Sequence, residues 1–337
     1  MVSMRNKVTM ADVASRAGVS LQTVSRVVQN KANVSKATRE RVQAVVRELN
    51  YEPDINAQIL ASGRSRSIGV ITVGDIYFGM QKLFTAVEAR ARRAGRYVVS
   101  ASVPENDPSE LVSAMKYMRA RGVLASVVLA QNPAIIPVLE NTPVNRGVLV
   151  MSGKHRLSDY VTIGFDQVSG SRELTAHLLS STDSILHIAG PLSAQDAMER
   201  LAAYQEVCAE AGAAARWVSA NGWSAEAGYN LGRDLNPVPQ AIFAASDRIA
   251  IGLMRALSER RLEAGKDYLL GGFDDIAEAA YLRPALTTVR QDFSLLAQEV
   301  IANLEEIIAG KEPCAVQVQT ALIVRESAPQ HAVLAAG

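Results

Sequence analysis

Cysteine and histidine are scarce in this chain, which has two cysteines and four histidines among its 337 residues. Cys208 and Cys314 lack the spacing of a metal-ligand pair, so we expect buried free thiols rather than a disulfide or a metal site. The histidines, at positions 155, 177, 187 and 331, are equally scattered. The composition therefore predicts no metal centre and no structural disulfide.

Long apolar runs are absent as well. No stretch approaches the roughly 20 residues that a transmembrane helix needs, and the polar N-terminus lacks the apolar core of a signal peptide. We therefore expect a cytoplasmic protein with no membrane partner. The sequence also contains no phosphate-binding loop, no Gly-x-Gly-x-x-Gly motif and no Gly-x-Ser-x-Gly nucleophile turn. We therefore expect no catalytic residues and no cofactor.

Charge is unevenly distributed, although the whole chain carries a net charge of only +1. Residues 1–66 contain eleven lysines and arginines against five acidic residues, whereas the remainder contains 24 against 29. A basic segment is often no more than a solvated surface, but positive charge concentrated in this way also suits the phosphates of a nucleic acid. The first 66 residues are therefore the candidate for a DNA partner.

Three short amphipathic helices are predicted within this basic segment, because apolar residues recur at the i, i+3, i+4 spacing of one helix face. The apolar face of the first helix is formed by Val13, Ala14 and Ala17. That of the second is formed by Val24, Val27 and Val28. A third helix is predicted from about Lys36 to Leu49, and its inward face is formed by Val42, Val45, Val46 and Leu49. The three faces would share one small core.

The connection between the first two helices is a tight turn. Gly18 can adopt the left-handed conformation that ends a helix, and the Ser20 hydroxyl can cap the next one. This arrangement predicts a helix-turn-helix, in which the start of the second helix faces base edges. Leu21, Gln22 and Arg26 project away from the core there, so we expect them to read the DNA sequence.

A hinge follows the third helix. Pro53 breaks that helix, Asp54 can cap a short helix from Ile55 to Ala61, and Gly63 stops it before an Arg/Ser linker. A helix of two turns is marginal alone in water, so we expect a partner to order it.

From Ile68 onward, apolar runs alternate with amphipathic helices, which predicts parallel sheets covered on both faces. The first half of this pattern has strands at 68–73, 97–101, 123–129, 148–151 and 160–164 and helices at 81–94, 109–121 and 134–141. The second half has strands at 185–189, 216–219, 241–244 and 269–272 and helices at 168–179, 196–211, 225–235, 249–260 and 277–281. The segment 285–291 and then a last helix, 295–309, are expected to cross back to the first lobe, which leaves a cleft between two lobes as the default ligand site.

The run from Val8 to Ile71, above all Leu21–Val28, resembles the headpiece and hinge of the lactose and galactose repressor family of bacterial transcriptional regulators, the LacI/GalR family. Five segments of the second half carry the same resemblance: 189–193, 222–225, 246–252, 272–275 and 286–293. The implied fold is an all-α helix-turn-helix headpiece plus a hinge helix, then a two-lobed α/β core like the periplasmic binding proteins. The headpiece is expected at 1–52, the hinge helix and linker at 53–67, the two-lobed core at 68–329 and a short tail at 330–337. Within the core, the first lobe is expected at 68–164 and 294–320 and the second lobe at 165–293 and 321–329.

The resemblance also implies two sets of site residues. The DNA-binding set, in which Leu60 would wedge into a base step of the minor groove, is Thr9, Ser20, Leu21, Gln22, Thr23, Ser25, Arg26, Asn30, Asn56 and Leu60. The effector-binding set is Tyr77, Leu83, Phe165, Arg200, Trp223, Ser246, Asp247, Asp274, Gln291 and Phe293.

The chemistry of the second set suits a sugar. Arg200 and Asp274 can satisfy vicinal hydroxyls, while Trp223 and the phenylalanines offer flat apolar faces. Each of these residues also has an ordinary structural alternative. Arg200 could be an exposed charge on an amphipathic helix, Asp247 and Asp274 could cap helices, and the aromatic residues could belong to the core.

Two departures from the family pattern affect the choice of sugar. Met151-Ser152 stands where a family member has an aspartate, and Ser246 stands where it has an asparagine. A buried hydroxyl left unpaired costs about 1–3 kcal/mol. A galactoside is therefore one candidate ligand among several. Leu21 replaces a tyrosine of that member, so the operator is expected to be related and not identical.

The predicted function is sequence-specific transcriptional regulation, with repression of a sugar-utilisation operon controlled by a sugar in the cleft. We expect a homodimer on a near-palindromic double-stranded operator, associated with the nucleoid when bound. The alternatives are the same fold with a nucleoside- or purine-type corepressor, a cytoplasmic sugar-processing enzyme, and a solute-binding transport protein. The transport protein would need an export signal and no headpiece.

Overall fold

The computed structural model of the chain describes residues 8–28, 31–51, 65–74, 78–142 and 146–330. The chain divides into two compact units, Met1–Ser65 and Arg66–Gly337. Four predicted site residues lie outside the described residues: Asn30, Asn56, Leu60 and Tyr77. The hinge helix predicted at 55–61 also lies outside them. In the described ranges, no helix is long and apolar enough to cross a lipid bilayer.

The described residues of the first unit form three helices: α1 (Met10–Ala17), α2 (Leu21–Val28) and α3 (Lys36–Glu48). Their apolar faces form the predicted common core, which buries Val13, Ala14, Ala17, Val24, Val27, Val42, Val45 and Tyr51. Gly18 ends α1 at φ 63° and ψ 42°, the left-handed conformation that favours glycine. The Ser20 hydroxyl accepts a hydrogen bond from the Thr23 amide at 3.2 Å and so caps α2. The predicted helix-turn-helix is confirmed.

The second unit alternates strands with helices, as the sequence predicts. Its strands are β1 (Ser67–Val73), β2 (Tyr97–Val103), β3 (Ser126–Leu129), β4 (Gly147–Val150), β5 (Tyr160–Phe165), β6 (Ile185–Ala189), β7 (Arg216–Ser219), β8 (Ala241–Ala244), β9 (Leu269–Asp274), β10 (Thr287–Arg290), β11 (Val316–Val318) and β12 (Ala321–Ile323). Its α-helices are α4 (Phe78–Arg93), α5 (Pro108–Ala120), α6 (Ile136–Asn141), α7 (Gln167–Leu179), α8 (Gln195–Glu210), α9 (Ala225–Asp234), α10 (Asp247–Glu259) and α11 (Phe293–Ile308). Short 3-10 turns lie at Pro133–Ile135 and Ala277–Tyr281.

The first lobe is built on a parallel sheet with the strand order β11-β5-β4-β3-β1-β2. Successive side chains of a strand point to opposite faces, so a strand covered on both sides is apolar at most positions of both faces. In β1, Ile68 and Val70 pack in the layer of α4 and α11, whereas Ile71 and Val73 pack in the layer of α5. This explains why β1 is mostly apolar in the sequence, although Thr72 is a buried polar residue within it.

The second lobe repeats the plan with the strand order β12-β10-β9-β8-β6-β7. Its strands are parallel except for β12, which runs antiparallel to β10. Helices α9 and α10 cover one face and helices α7 and α8 the other. The chain then crosses between the lobes. Helix α11 packs in the core of the first lobe, β11 joins β5, and β12 returns to the second sheet. The predicted two-lobed core with parallel sheets is confirmed.

Several local predictions differ from the structure. The prediction that 285–291 crosses to the first lobe is wrong, because β10 pairs with β9 in the second sheet. Strand β3 begins at Ser126 and not at Val123. Helix α4 begins at Phe78 and not at Gln81. Gly79 in its first turn lies close to the Phe293 ring, which a Cβ at this position would approach to 3.1 Å. The segment Ala277–Tyr281 is a 3-10 turn and not an α-helix. Five residues are too few for the spacing of apolar positions to distinguish the two helix types. Cys208 is buried as expected, but the buried thiol predicted for Cys314 is wrong. Cys314 is exposed, because β11 begins two residues later, at the sheet edge.

Candidate functional site

The first candidate surface is the side of α2 that faces away from the headpiece core. Leu21 is 53% exposed, and Gln22 and Arg26 are exposed as well, whereas Thr23 and Ser25 are partly buried. Glutamine and arginine can make paired hydrogen bonds to adenine and guanine, and an apolar side chain can contact the thymine methyl. These three exposed residues therefore have the chemistry to read base edges.

Two further members of the predicted DNA-binding set cap helices. The Thr9 hydroxyl donates to the Asp12 carboxylate at 2.7 Å and accepts from the Asp12 amide at 3.3 Å. Hydrogen bonds from the Thr9 backbone and hydroxyl hold the pKa of Asp12 below its ordinary value. The Ser20 hydroxyl lies 2.9 Å from that of Thr23. Helix N-termini attract phosphate, so these capping residues lie at positions suited to contacts with a DNA backbone.

The second candidate site is the cleft between the two lobes of the second unit, and Arg200 is its central polar residue. Its side chain is only 3% exposed. The Nε atom donates to Gln167 Oε1 at 2.9 Å and Nη1 donates to the Ala245 carbonyl at 2.5 Å. The guanidinium carbon lies 3.8 Å from the centre of the Phe273 ring, in a cation–π contact. These contacts fix the plane of the guanidinium in the cleft floor.

Two carboxylates flank the remaining nitrogen of Arg200. Its Nη2 atom lies 3.9 Å from Asp196 Oδ2 and 3.9 Å from Asp274 Oδ1, longer than direct hydrogen bonds. Burial raises the pKa of Asp274 to about 7, against the opposing effect of Arg200 and with the help of the Asp196 charge. The cluster therefore keeps hydrogen-bonding capacity for a ligand whose hydroxyls reach between these groups.

Apolar side chains form the walls of the cleft. Phe165 and Phe293 meet edge to face, with ring centres 5.2 Å apart. Leu83 lines the same wall, and Trp223 stands on the opposite lobe, with the Arg200 guanidinium carbon 5.5 Å from its ring centre. Flat rings and a cluster of charged groups together suit a ligand with one apolar face and a rim of hydroxyls.

Gln291 and Ser246 complete the polar side of the cleft. Gln291 Nε2 donates to Gln167 Oε1 at 3.3 Å, so one amide oxygen of Gln167 accepts from both Gln291 and Arg200. Ser246 caps α10 by accepting from the Ile249 amide at 3.3 Å, which leaves its hydroxyl hydrogen to be donated. Both side chains are at least nine-tenths buried and line the cleft.

The structure thus brings eight members of the predicted effector-binding set together in the cleft lining: Leu83, Phe165, Arg200, Trp223, Ser246, Asp274, Gln291 and Phe293. Asp247 does not belong there. It is fully buried, and its carboxylate accepts from the Thr288 hydroxyl at 2.5 Å and from the Ile276 amide at 2.8 Å. Burial, followed by the charge of Asp274, raises the pKa of Asp247 well above its ordinary value.

The sequence reasoning missed Asp196, Gln167 and Arg248, which also line the cleft. Asp196 could have been found, because it precedes Arg200 by four residues and so shares its helix face. Its carboxylate accepts a hydrogen bond from the hydroxyl of Ser152. Ser152, which stands where a family member has an aspartate, therefore contacts a carboxylate of the other lobe, that of Asp196.

Two family models match the chain. The model described as bacterial regulatory proteins, lacI family, matches residues 9–54, and the model described as a periplasmic binding protein-like domain matches residues 177–328. The first match covers the helix-turn-helix, and the second covers most of the second lobe together with α11.

Whole-chain relatives agree with these matches. The lactose operon repressor of Escherichia coli (strain K12) is 33% identical over 311 residues, which cover 90% of this chain and 86% of the repressor. The HTH-type transcriptional repressor PurR of Escherichia coli O139:H28 is 27% identical over 330 residues, which cover 95% of this chain and 96% of PurR. A crystal structure of the lac repressor dimer bound to operator and the anti-inducer ONPF has a TM-score of 0.88 at 30% identity and covers 96% of this chain and 100% of that one.

Proposed function

Because the chain belongs to the lacI family of bacterial regulatory proteins, it is a DNA-binding transcriptional regulator, and we propose that a small sugar bound between its lobes controls its affinity for operator DNA. The observation that carries this proposal is the buried Arg200 between Asp196 and Asp274, under walls of aromatic side chains. Vicinal hydroxyls satisfy such charged groups, and the apolar face of a sugar ring stacks on such walls.

Control of DNA binding requires that the sugar bind one arrangement of the lobes more tightly than the other. Residues of both lobes line the cleft, so a change in their separation alters the ligand's contacts. Linkage then requires that operator DNA change the sugar affinity by the same factor as the sugar changes the operator affinity.

The proposal includes a homodimer on a near-palindromic operator. One recognition helix reads only a few base pairs, and symmetric half-sites follow from the symmetry of a dimer. A lac repressor dimer bound to operator is among the structures similar to this chain. We further propose that the protein acts by binding and not by catalysis, in the cytoplasm and at the nucleoid.

The test begins with a thermal-shift screen of mono- and disaccharides, with purine bases and nucleosides included for the corepressor alternative. Each compound that raises the melting temperature is then titrated against the operator complex. A sugar that changes operator affinity supports the proposal. Stabilisation by purines alone would favour the alternative in which a nucleoside or purine is the corepressor.

Variants separate the two activities. Arg200→Ala and Asp274→Ala should abolish the effector response while leaving effector-free operator affinity near that of the parent. Gln22→Ala and Arg26→Ala should each weaken specific operator binding by about 1–3 kcal/mol, with little effect on nonspecific DNA. A full effector response in the Arg200→Ala protein would refute the proposed site.

A further inference from the structure

The turn that follows β9 has an unusual backbone. Asp274 has φ 114° and Asp275 has φ 51°, so two consecutive non-glycine residues lie at positive φ. Such conformations are uncommon for residues with a Cβ, and they persist only where the surroundings enforce them. The first of the two residues is the one whose carboxylate faces Arg200 in the cleft.

Asp275 is held by two arginines from outside its own strand. Arg325 Nη2 lies 2.7 Å from Asp275 Oδ1, and Arg290 Nε lies 2.6 Å from Oδ2. The Arg325 side chain is 16% exposed and also donates to the Leu286 carbonyl at 2.8 Å, whereas the Arg290 side chain is 53% exposed. Buried, multiply bonded arginine restrains a carboxylate far more than an exposed one.

Asp247 holds the other end of the same turn. One of its oxygens accepts from the Ile276 amide, immediately after Asp275, and the other from the Thr288 hydroxyl on β10. The Asp275 amide in turn lies 3.4 Å from the Thr288 hydroxyl oxygen. This explains the deep burial of Asp247, a residue that does not line the cleft.

We propose that Asp275, Arg325 and Asp247 form a clamp that holds the turn at positive φ and thereby aims the Asp274 carboxylate at Arg200 and the ligand. They are positioning residues, since they act through Asp274. The ligand-binding part of this proposal rests on the proposed function. Without the clamp the backbone can relax to negative φ, which rotates Asp274 away from Arg200 and towards water.

The clamp is tested first without any ligand. Aspartate 13Cγ resonances are followed by NMR during a pH titration, with Asp274→Asn used to assign the Asp274 signal. In Arg325→Met, which keeps the side-chain length, we expect the pKa of Asp274 to fall by at least one unit from the parent value because its carboxyl leaves the buried position. Arg290→Met, which removes the exposed partner of the same carboxylate, should leave the Asp274 titration near that of the parent.

The second measurement is the affinity for lactose, D-galactose and cellobiose by calorimetry. For any of these that binds the parent, Arg325→Met should lower the affinity at least tenfold, Arg325→Lys should restore it to within threefold, and Arg290→Met should stay within threefold. If Arg325→Met does not fold, Asp275→Asn takes its place, because asparagine tolerates left-handed φ while lacking the charge.

The two measurements separate the two ideas. An Asp274 titration in Arg325→Met identical to that of the parent overturns the clamp, whatever the sugars do. If none of the sugars in either screen binds the parent, the proposed function fails, and the ligand-free titration still decides whether the clamp exists.

Discussion

The two lobes offer opposite surfaces to the cleft between them. The first lobe contributes mainly apolar side chains, among them Met80, Leu83, Val150 and Phe165. The second lobe contributes the charged ones: Asp196, Arg200, Arg248 and Asp274. Apolar burial is non-directional, whereas hydrogen bonds to charged groups require fixed geometry. We infer from this comparison that the second lobe orients a ligand and that the first lobe excludes water from it.

The difference also suits a regulator whose lobes move. An apolar wall can shift along a ligand without leaving a buried polar group unpaired, so its displacement is a small energetic change. Moving Arg200 would break its bonds to Gln167 and Ala245 and expose two facing carboxylates. We therefore expect a ligand to be held by the second lobe while the first lobe closes over it.

The largest expected effect is that of Arg200→Met in the charged lobe. Removal of one partner from a buried ionic cluster typically destabilises a protein by about 3–5 kcal/mol, because the remaining charges are left uncompensated. Urea unfolding of the second unit should show this loss, and calorimetry should show no sugar binding. Arg172→Met, at an exposed ion pair with Glu210, is the matched control and should cost less than about 1 kcal/mol. Equal losses in the two variants would break the comparison.

The second expected effect is that of Leu83→Ala in the apolar lobe. Truncation of a buried leucine costs about 2–5 kcal/mol of stability, partly through the cavity that remains. The sugar affinity should fall equally for D-galactose and D-glucose, because the apolar branched end of the leucine side chain does not distinguish hydroxyl orientations. Asp274→Asn should instead change the ratio between these epimers. If Leu83→Ala changes the ratio and Asp274→Asn does not, the division of roles between the lobes is wrong.

Local patterns made the headpiece predictable from the sequence. Its core, the left-handed Gly18 and the Ser20 cap each depend on residues within a few positions of one another. The strand order of the two sheets and the lobe crossing of α11 needed the family resemblance or the structure, because spacing along a chain does not specify which strands pair.

The cleft was predicted only where the family pattern names a residue. Asp196 was missed because its role comes from contacts with Ser152 and Arg200 across two elements. Asp247 was assigned to the ligand because the family resemblance implied it, yet its carboxylate turns to Thr288 and the Ile276 amide. The sequence places a residue at the end of a strand, but the direction of its side chain depends on how the surrounding elements pack.

The third expected effect is a pH dependence that originates in the charged lobe. With a pKa of about 7, Asp274 is mostly protonated at pH 6 and mostly ionised at pH 8. The ionised form accepts hydrogen bonds from sugar hydroxyls, so affinity should rise about tenfold over this range, or about 1.4 kcal/mol. Calorimetry at both pH values measures the change. In Asp274→Asn the affinity should be flat with pH, and an unchanged slope would assign the titration to another group.

The same shift has the opposite sign for stability. A carboxyl whose pKa is raised by folding binds more protons in the folded state, so its contribution is full below the unfolded pKa near 4 and is lost as the pH rises towards 7. Burial lowers the pKa of His187 to about 3. The contribution of neutral His187 to the free energy of unfolding is therefore lost as the pH falls below about 6.5. The Asp274 contribution must therefore be measured as the difference between the parent and Asp274→Asn.

The smallest expected effect is at Ser152, the point where the apolar lobe reaches the charged one. Its hydroxyl donates to Asp196, and both groups are largely shielded from water. In Ser152→Ala the carboxylate loses one donor but still faces Arg200, so a loss of about 1 kcal/mol in stability and about fivefold in sugar affinity is expected. Urea unfolding and calorimetry on the same preparation provide both values. A loss as large as that of Arg200→Met would mean that the first lobe also orients the ligand through this hydroxyl, and the contrast between the lobes would then not hold.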